Sequence, residues 1–252
     1  MIKAVFFDLD GTLCDSDTTW SISQRDMFQL LREHYPDISE EVLTKAWGTV
    51  HQKLFQQLDA GKIFMAEVRD SRFACLFKAL DLPTDKVMED LSDFFCSRYL
   101  ASLRLYEDVT VLEELHAYHI GIVTNGAHDE HTDSQLSKVQ HLGLSERIQS
   151  LTISGEIGIR KPKIGIFKVA CERASVLPTE ALFVGDTIQN DIVGANRAGM
   201  TSVFIDRNQM CWSQKQRTSD PTTQSQIYTT FCPAYSINGI EIAMIDRQGF
   251  AF

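Results

Sequence analysis

Residues 2–12 read Ile-Lys-Ala-Val-Phe-Phe-Asp-Leu-Asp-Gly-Thr. The run from Ile2 to Leu9 is compact and apolar and ends in carboxylates, the pattern of a buried strand with its chemistry at the C-terminal tip. In extended backbone, side chains at i and i+2 share a face, so Asp8 and Asp10 are expected to present two carboxylates to one side. Gly11 then permits a sharp turn. Two acids at that spacing suit a nucleophile beside a general acid/base. An acidic strand end that only caps a turn is the plainer alternative for this stretch alone.

Outward from that strand the texture changes. From about Asp15 to Arg104, apolar residues recur at helical spacing: Trp20, Met27, Leu31 and Tyr35; Leu43, Trp47, Val50, Leu54 and Leu58; Val68, Phe73, Leu76, Phe77 and Leu80; Val87, Leu91, Phe94 and Phe95. This predicts four amphipathic helices with no strand between them, a separate helical unit. After Tyr106 strand and helix alternate. Strands are expected at Gly121–Thr124, Leu151–Ile153, Ala181–Val184 and Ser202–Ile205. Helices are expected around Val111–His116, Ser134–His141, Ile166–Ala174 and Ile192–Ala198.

Such alternation makes a mostly parallel sheet with ligands outside the carboxyl ends of its strands. The expected fold class is therefore α/β: a doubly wound, mostly parallel Rossmann-like sheet domain (residues 1–14 and 105–252), discontinuous in sequence, with an α-helical domain (15–104) inserted after the first strand. The polar stretch Trp212–Tyr228 reads as a surface loop, and Ser236–Phe252 is expected to add an edge strand.

Composition narrows the partners. With 24 Lys+Arg against 34 Asp+Glu, the formal charge of −10 disfavours a nucleic-acid polymer, which needs a basic face. A hydrophobic fraction of 44% suits a packed globular protein and excludes disorder as the main state. No apolar stretch approaches bilayer-spanning length, and Asp8 and Asp10 interrupt what would be the apolar part of a signal peptide, so a cytoplasmic protein is expected. The six cysteines are scattered without a C-x-x-C pair, which reads as reduced thiols filling core space.

Three further polar sites fall where strands are expected to end, so all four can converge on one rim of the sheet. Thr124-Asn125-Gly126 offers a hydroxyl followed by backbone N–H groups that Gly126 lets come close to a ligand; alone it also fits an ordinary turn. In Arg160-Lys161-Pro162, Pro162 suits the first turn of the helix carrying Phe167, and Lys161 presents a cation at the helix mouth; alone it also reads as a solvated lysine. Gly185-Asp186-Thr187-Ile188-Gln189-Asn190-Asp191 sets two carboxylates across a strand-to-helix turn, oxygen donors of the kind Mg²⁺ selects. Asp191 also suits a helix cap.

The order D-x-D-G-T, T-N-G, K-P and G-D-x-x-x-x-D-x-x-G-A-x-x-A-G closely resembles the haloacid dehalogenase superfamily, over roughly Met1 to Arg207. The position of the helical insertion is similar to that of the group with an α-helical cap, so 15–104 corresponds to a cap domain. Gly61–Phe73 and Phe183–Gly199 look most like the branch holding sialic-acid 9-phosphate phosphatases and pyrimidine 5′-nucleotidases.

The resemblance implies a Mg²⁺-dependent phosphatase in which Asp8 attacks phosphorus and becomes an aspartyl phosphate. Asp10 would protonate the leaving oxygen and later deprotonate the hydrolytic water. Thr124 and Lys161 would hold the phosphoryl oxygens, helped by backbone N–H groups near Leu9, Asp10, Asn125 and Gly126. Mg²⁺ would be bound by the Asp8 carboxylate, the Asp10 carbonyl and Asp186, with Asp191 orienting the site from behind. The implied partner is a small-molecule phosphate ester, such as a nucleotide or sugar phosphate, with no nucleic acid polymer and no membrane, the protein being a monomer or homodimer.

Three rivals share parts of this pattern. Dehalogenases use the same nucleophile on carbon without metal, but as a family lack the second acid of D-x-D, so Asp10 with Asp186 favours phosphorus. A sugar-phosphate mutase shares all four motifs. A non-enzymatic phospho-acceptor of the signalling-receiver type is much shorter and lacks the helical insertion. Within the insertion, Thr18, Thr19, Trp20, His51, Lys53, Arg69 and Arg72 are candidate substrate contacts, with helix surface or core as the plainer reading of each. His128 and His131 read as the solvent-facing start of a helix, and Cys14 as packing near the site without reacting.

Overall fold

The structure is a computed structural model that describes residues 1–132 and 134–207 and the backbone of Tyr235–Ile237 and Ile240–Ile245. Its centre is the opening strand β1 (Ala4–Phe7), whose four residues are all buried. β1 pairs in parallel with β2 (His119–Thr124) on one side and β4 (Ala181–Gly185) on the other. β3 (Ser150–Ile153), which runs into the one-turn helix α6 (Ser154–Ile157), extends the sheet beyond β2, and β5 (Thr201–Asp206) beyond β4. With β6 (Tyr235–Ile237) and β7 (Ile240–Ile245) included, the strand order is β3-β2-β1-β4-β5-β7-β6. The expected mostly parallel α/β sheet is therefore present. The tail supplies two strands rather than one: β7 (Ile240–Ile245) pairs antiparallel with β5, and β6 (Tyr235–Ile237) pairs with β7. Residues 212–228, read above as a loop, lie outside the described residues.

Strand β1 is buried because both neighbours and the helices on the faces cover it. Phe6, Phe167, Phe183, Ala170 and Ala195 pack into one core, with Phe167 from α7 (Ile164–Arg173) standing edge-on to Phe183 of β4 at 5.1 Å between ring centroids. Register then places the site. Phe7 lies level with Ile122 of β2 and Val184 of β4. The segments after β1, β2 and β4 thus leave the sheet at one carboxyl edge, where ligands of such sheets bind.

The four expected helices are observed as α1 (Ser16–His34), α2 (Glu40–Asp59), α3 (Met65–Ala79) and α4 (Lys86–Ser102). Ser39 caps α2 by accepting from the N–H of Val42, and Asp85 caps α4 by accepting from Val87, satisfying donors that have no partner within the helix. Their apolar stripes meet in an aromatic core of Trp47, Phe73, Phe77 and Phe95. The short helix expected near Val111 is a 3₁₀ turn at Glu107–Glu113.

The chain divides into two compact units. One comprises Met1–Asp15, Leu105–Asn125 and the described residues from Leu144 onward; the other comprises Ser16–Arg104 together with Gly126–Gly143. The segment Gly126–Gly143, expected within the sheet domain, therefore groups with the helices. Part of the reason is electrostatic: Arg69 of α3 donates to both carboxylate oxygens of Asp129, at 3.0 and 2.9 Å. The segment carries α5 (Gln135–His141), and Lys138 of α5 sets its ammonium 4.9 Å from the Tyr99 ring centroid.

Phe183 is fully buried beneath both the sheet core and the Lys161 ammonium. Phe183→Ala is expected to cost about 3–5 kcal/mol, the usual scale for emptying a buried aromatic site. Urea unfolding would show this as a lower midpoint at unchanged slope; a midpoint within error of wild type would contradict the packing described.

Candidate active site

Past Phe7 the chain is held to β4 by one more ladder bond, Asp8 N–H to the Val184 carbonyl at 2.9 Å, which sets Asp8 at the carboxyl edge. The backbone then bends at Leu9, so the extended alternation expected to carry through Asp10 stops at the strand end. The Leu9 N–H, expected to hold a phosphoryl oxygen, donates to Asp8 Oδ1 at 2.7 Å. Asp10 is partly exposed and accepts the Cys14 thiol at 3.8 Å. Cys14 itself is fully buried, with Sγ also 3.4 Å from the Leu9 carbonyl, in keeping with a packing role.

Lys161 is the centre of the arrangement. Its side chain is 1% exposed, and Nζ lies 2.7 Å from Asp8 Oδ1 and 2.6 Å from Asp191 Oδ1. It is not the solvated lysine of the plainer reading. Burial opposes its charge, but the Asp191 and Asp8 carboxylates outweigh that and hold the ammonium above the usual lysine range. Pro162 does not open the following helix: α7 begins at Ile164, with Lys163 as its cap residue.

Asn125 places Lys161. Its side-chain oxygen accepts the Lys161 N–H at 2.8 Å, and its Nδ2 donates to the Lys161 carbonyl at 3.1 Å. From sequence, Asn125 was expected to contribute only its backbone N–H; this side-chain latch was missed. The one available signal was that an amide matches a peptide group in both donor and acceptor. Thr124 is buried at the end of β2, and Gly126 begins the segment that groups with the helices.

Asp186 and Asp191 come from the turn after β4. The expected helix start is a π-helical turn, Ile188–Ile192, leading into α8 (Val193–Ala198). Asp191 is fully buried, and its Oδ2 accepts the Thr187 N–H at 3.0 Å, so it braces the turn as well as meeting Lys161. Two glycines allow the close approach. A Cβ on Gly185 would lie 2.5 Å from Asp191 Cγ, and one on Gly11, where φ is +77°, would lie 2.8 Å from Asp186 Cγ. The Thr12 hydroxyl donates to Asp186 Oδ1 at 3.2 Å. Arg207, unremarked from sequence, donates to the Thr12 carbonyl at 2.5 Å, grips both oxygens of Asp108 at 3.0 Å and stacks on Tyr106.

Carboxylate oxygens of Asp8, Asp186 and Asp191 lie within 4.8 Å of one another. Asp191, expected to act from behind, thus belongs to the same acid cluster; the Asp10 carboxylate does not. Three acids and one lysine carry a formal excess of −2, and the carboxyls register it. Burial first, then the neighbouring acids, push Asp8 up against the pull of Lys161. Burial and Asp191 raise Asp186 to about 6, against Lys161 and Thr12. An all-oxygen donor set with two uncompensated charges fits a hard divalent cation. Elsewhere, His128 is exposed in the turn before α5 rather than in a helix, and neither it nor His131 joins a metal-like cluster among the described residues.

A buried lysine among carboxylates at the carboxyl edge of a parallel sheet makes an α/β site of the kind that binds small anionic ligands. The model of the haloacid dehalogenase-like hydrolases matches residues 5–205, and the chain belongs to that family. It is 32% identical over 220 residues to glyceraldehyde 3-phosphate phosphatase of Methanopyrus kandleri, covering 82% of this chain and 85% of that one. It is 28% identical to N-acylneuraminate-9-phosphatase of Rattus norvegicus, covering 82% and 84%. Among solved structures, 2-haloacid dehalogenase from Pseudomonas syringae pv. Tomato DC3000 superposes with a TM-score of 0.61 at 27% identity, covering 80% of this chain and 85% of that one.

The raised carboxyl of Asp186 makes a signed prediction. An acid whose folded pKa is about 6 against an ordinary 3.8 penalises the fold above pH 6 and ceases to do so below about pH 4. In EDTA, Asp186→Asn is expected to stabilise the protein by about 1–2 kcal/mol at pH 8, discounted for partial exposure, and by nothing at pH 4. Thermal unfolding across pH tests this; a destabilised variant at pH 8 would contradict it.

Proposed function

We propose that this phosphate-monoester hydrolase works through an aspartyl-phosphate intermediate on Asp8 and requires Mg²⁺. The observation that carries the reading is the buried Lys161 ammonium set between Asp8 and Asp191, beside Asp186. An anionic nucleophile must approach a phosphate dianion, and like charges ~4 Å apart cost on the order of 4 kcal/mol per unit pair at an effective dielectric of ~20. Lys161 offsets part of that repulsion from inside a site where its charge is little screened. When bound, Mg²⁺ supplies the remaining neutralisation and polarises the transferring group. The Asp8 carboxylate, the Asp10 carbonyl and Asp186 are the residues that would hold it, with Asp191 fixing Lys161 and the turn.

In this mechanism Asp8 displaces the alcohol from phosphorus, and Asp10 donates the proton the leaving oxygen needs. The same Asp10 then takes a proton from water as that water attacks the phosphorus of the intermediate, returning Asp8 and free phosphate. Two displacements let one carboxyl serve as acid and then base. Thr124 and Lys161, with the N–H groups of Leu9, Asn125 and Gly126, hold the phosphoryl oxygens; the Leu9 N–H is released for this when Asp8 turns to phosphorus. The helical unit, 15–104 with the segment that groups with it, is the part proposed to select among esters.

The dehalogenase reading is set aside on the same cluster: attack on carbon needs no divalent cation, whereas the acids around Lys161 carry charge that calls for one. The two phosphatase relatives are named for different esters, so likeness alone does not choose a substrate beyond a small phosphate ester. Among the described residues no helix is long and apolar enough to cross a membrane, and the described cysteines Cys14, Cys75, Cys96 and Cys171 are free thiols. Those thiols suit a reducing cytoplasm, which is part of the proposal, as is a monomer or homodimer.

Two substitutions test the roles. Asp8→Asn is expected to abolish Mg²⁺-dependent phosphate release from an aryl phosphate; near wild-type release would remove Asp8 as nucleophile. Asp10→Asn is expected to lower turnover by ~10²-fold or more, the scale of losing general acid/base catalysis. An unchanged rate, with an aryl ester whose leaving group needs protonation, would assign that work elsewhere.

A further inference from the structure

β5 runs parallel to β4, so it leaves the sheet at the same carboxyl edge as β1 and β4, and Arg207 is the residue that follows it. Its side chain is 11% exposed and divides its donors between two distant parts of the chain. Nη1 donates to Asp108 Oδ1 and Oδ2 at 3.0 Å each, and Nη2 donates to the Thr12 carbonyl at 2.5 Å. The guanidinium carbon lies 4.0 Å from the Tyr106 ring centroid, so the group is held on its face as well as at its tips. An arginine whose only task is solubility keeps its head in water. This one is enclosed and oriented, and all its partners belong to the unit that carries the acid cluster.

What lies on the far side of Thr12 gives these contacts a consequence. Thr12 is fully buried, and its hydroxyl donates to Asp186 Oδ1 at 3.2 Å. Arg207 and Asp186 therefore hold the two polar ends of one residue, the peptide oxygen and the hydroxyl. The neighbouring carbonyls of the turn have backbone partners: Leu13 and Cys14 donate to Leu9 at 2.9 and 3.1 Å, Gly11 to Cys14 at 3.0 Å, and Tyr106 to Leu13 at 3.1 Å. The Thr12 carbonyl is met by Arg207 instead. Without it a buried carbonyl is left unpaired, which is costly enough to turn the peptide towards another donor and carry the Thr12 side chain with it. Asp186 has little slack to follow, because a Cβ on Gly11 would lie 2.3 Å from its Oδ2.

We propose that Arg207 is a positioning residue for the acid cluster: by fixing the Thr12 peptide it keeps the Thr12 hydroxyl on Asp186, and so holds that carboxylate in the arrangement that takes a divalent cation. This rests on the Mg²⁺ reading above and deepens it by naming a residue outside the cluster that sets its affinity. Tyr106 and Asp108 orient the fork that does so. A lysine keeps the charge but not the planar fork that meets Asp108 and Thr12 in fixed directions.

The test is the Mg²⁺ affinity of the full chain without substrate, by titration calorimetry, which reads binding rather than turnover. The fitted stoichiometry counts folded molecules, so loss of folded protein does not enter the dissociation constant. Arg207→Met, whose unbranched stem can still lie on Tyr106, is expected to weaken Mg²⁺ binding by about tenfold or more, the scale of losing a partner behind a metal ligand. Arg207→Lys is expected to weaken it by about threefold or more, since the fork is lost and the charge is not. By charge alone, removing a cation near the acids strengthens Mg²⁺ binding, so the sign separates positioning from electrostatics. Thr12→Val, which deletes the hydroxyl and keeps the carbonyl, should weaken binding as Arg207→Met does. The double variant should bind no more than about twofold worse than the weaker single one, because both changes remove the same hold on Asp186.

A clamp that serves stability alone would lower the unfolding temperature in EDTA and leave the affinity of the folded protein unchanged. Unchanged or tighter binding in the Arg207 variants overturns the inference, as does full additivity with Thr12→Val. Arg207→Lys carries the test where Arg207→Met does not fold. Wild type that binds no Mg²⁺ overturns the metal reading and this inference with it; wild type and Arg207 variants that bind it equally well overturn the inference and leave the metal reading standing.

Discussion

One buried ammonium governs this molecule. Lys161 is enclosed, and an enclosed charge costs several kcal/mol unless it is paired on the spot. The two partners come from different parts of the chain, Asp8 at the end of the first strand and Asp191 in the turn after β4. Each can sit there only because other residues make room or hold position: Gly185 beneath Asp191, Gly11 against Asp186, and the Asn125 amide on the Lys161 backbone. The requirement to neutralise one cation therefore ties together β1, β2, β4 and the approach to α7. The same requirement overshoots, since three acids surround one lysine, and the excess is what makes the site receptive to a divalent cation.

Much of the sheet was legible because burial on both faces leaves a strong apolar signal. AVFF, ALFV and SVFI could hardly be anything but inner strands, and the turn residues that follow them carry the charges. Asp8 and Asp186 stand out for that reason, each directly after a buried strand, whereas Lys161 lies well past the end of β3 and Asp191 lies in the helical turn after β4. Other features had no such signal. Asn125 looks like an ordinary turn residue, and its latch on Lys161 depends on two loops meeting at the right distance. Arg207 sits at the end of β5 with no motif around it, yet holds Thr12 and Asp108 together. The strand ends at Phe7, just before the first acid, and the chain bends at Leu9, so Asp8 and Asp10 do not lie in one regular extended segment.

The helical unit shows the complementary case. Its periodicity revealed four helices, but periodicity cannot distinguish a core tryptophan from one that also offers a hydrogen bond inward. Trp47 matched its apolar stripe and does pack there; that its N–H is left unmet is a property of the fold, not of the spacing. Nor did spacing reveal that Gly126–Gly143 groups with these helices, since the Arg69–Asp129 pair joins residues distant in sequence. Charges at the sheet edge were thus more visible than hydrogen-bonding atoms in the helical unit, because a charge stands out against an apolar strand whereas a polar atom on an aromatic ring hides within an amphipathic pattern.

The most direct measurement is to mix the enzyme with Mg²⁺ and a fast aryl phosphate, quench within the first turnover into borohydride, and locate the reduced carboxyl by tandem mass spectrometry. If Lys161 holds Asp8 as the phosphorus-attacking oxygen, reduction maps to residue 8, and Lys161→Met abolishes it. Reduction at another carboxyl, or rapid phosphate release with no reducible acyl phosphate under conditions that trap one, would contradict the account.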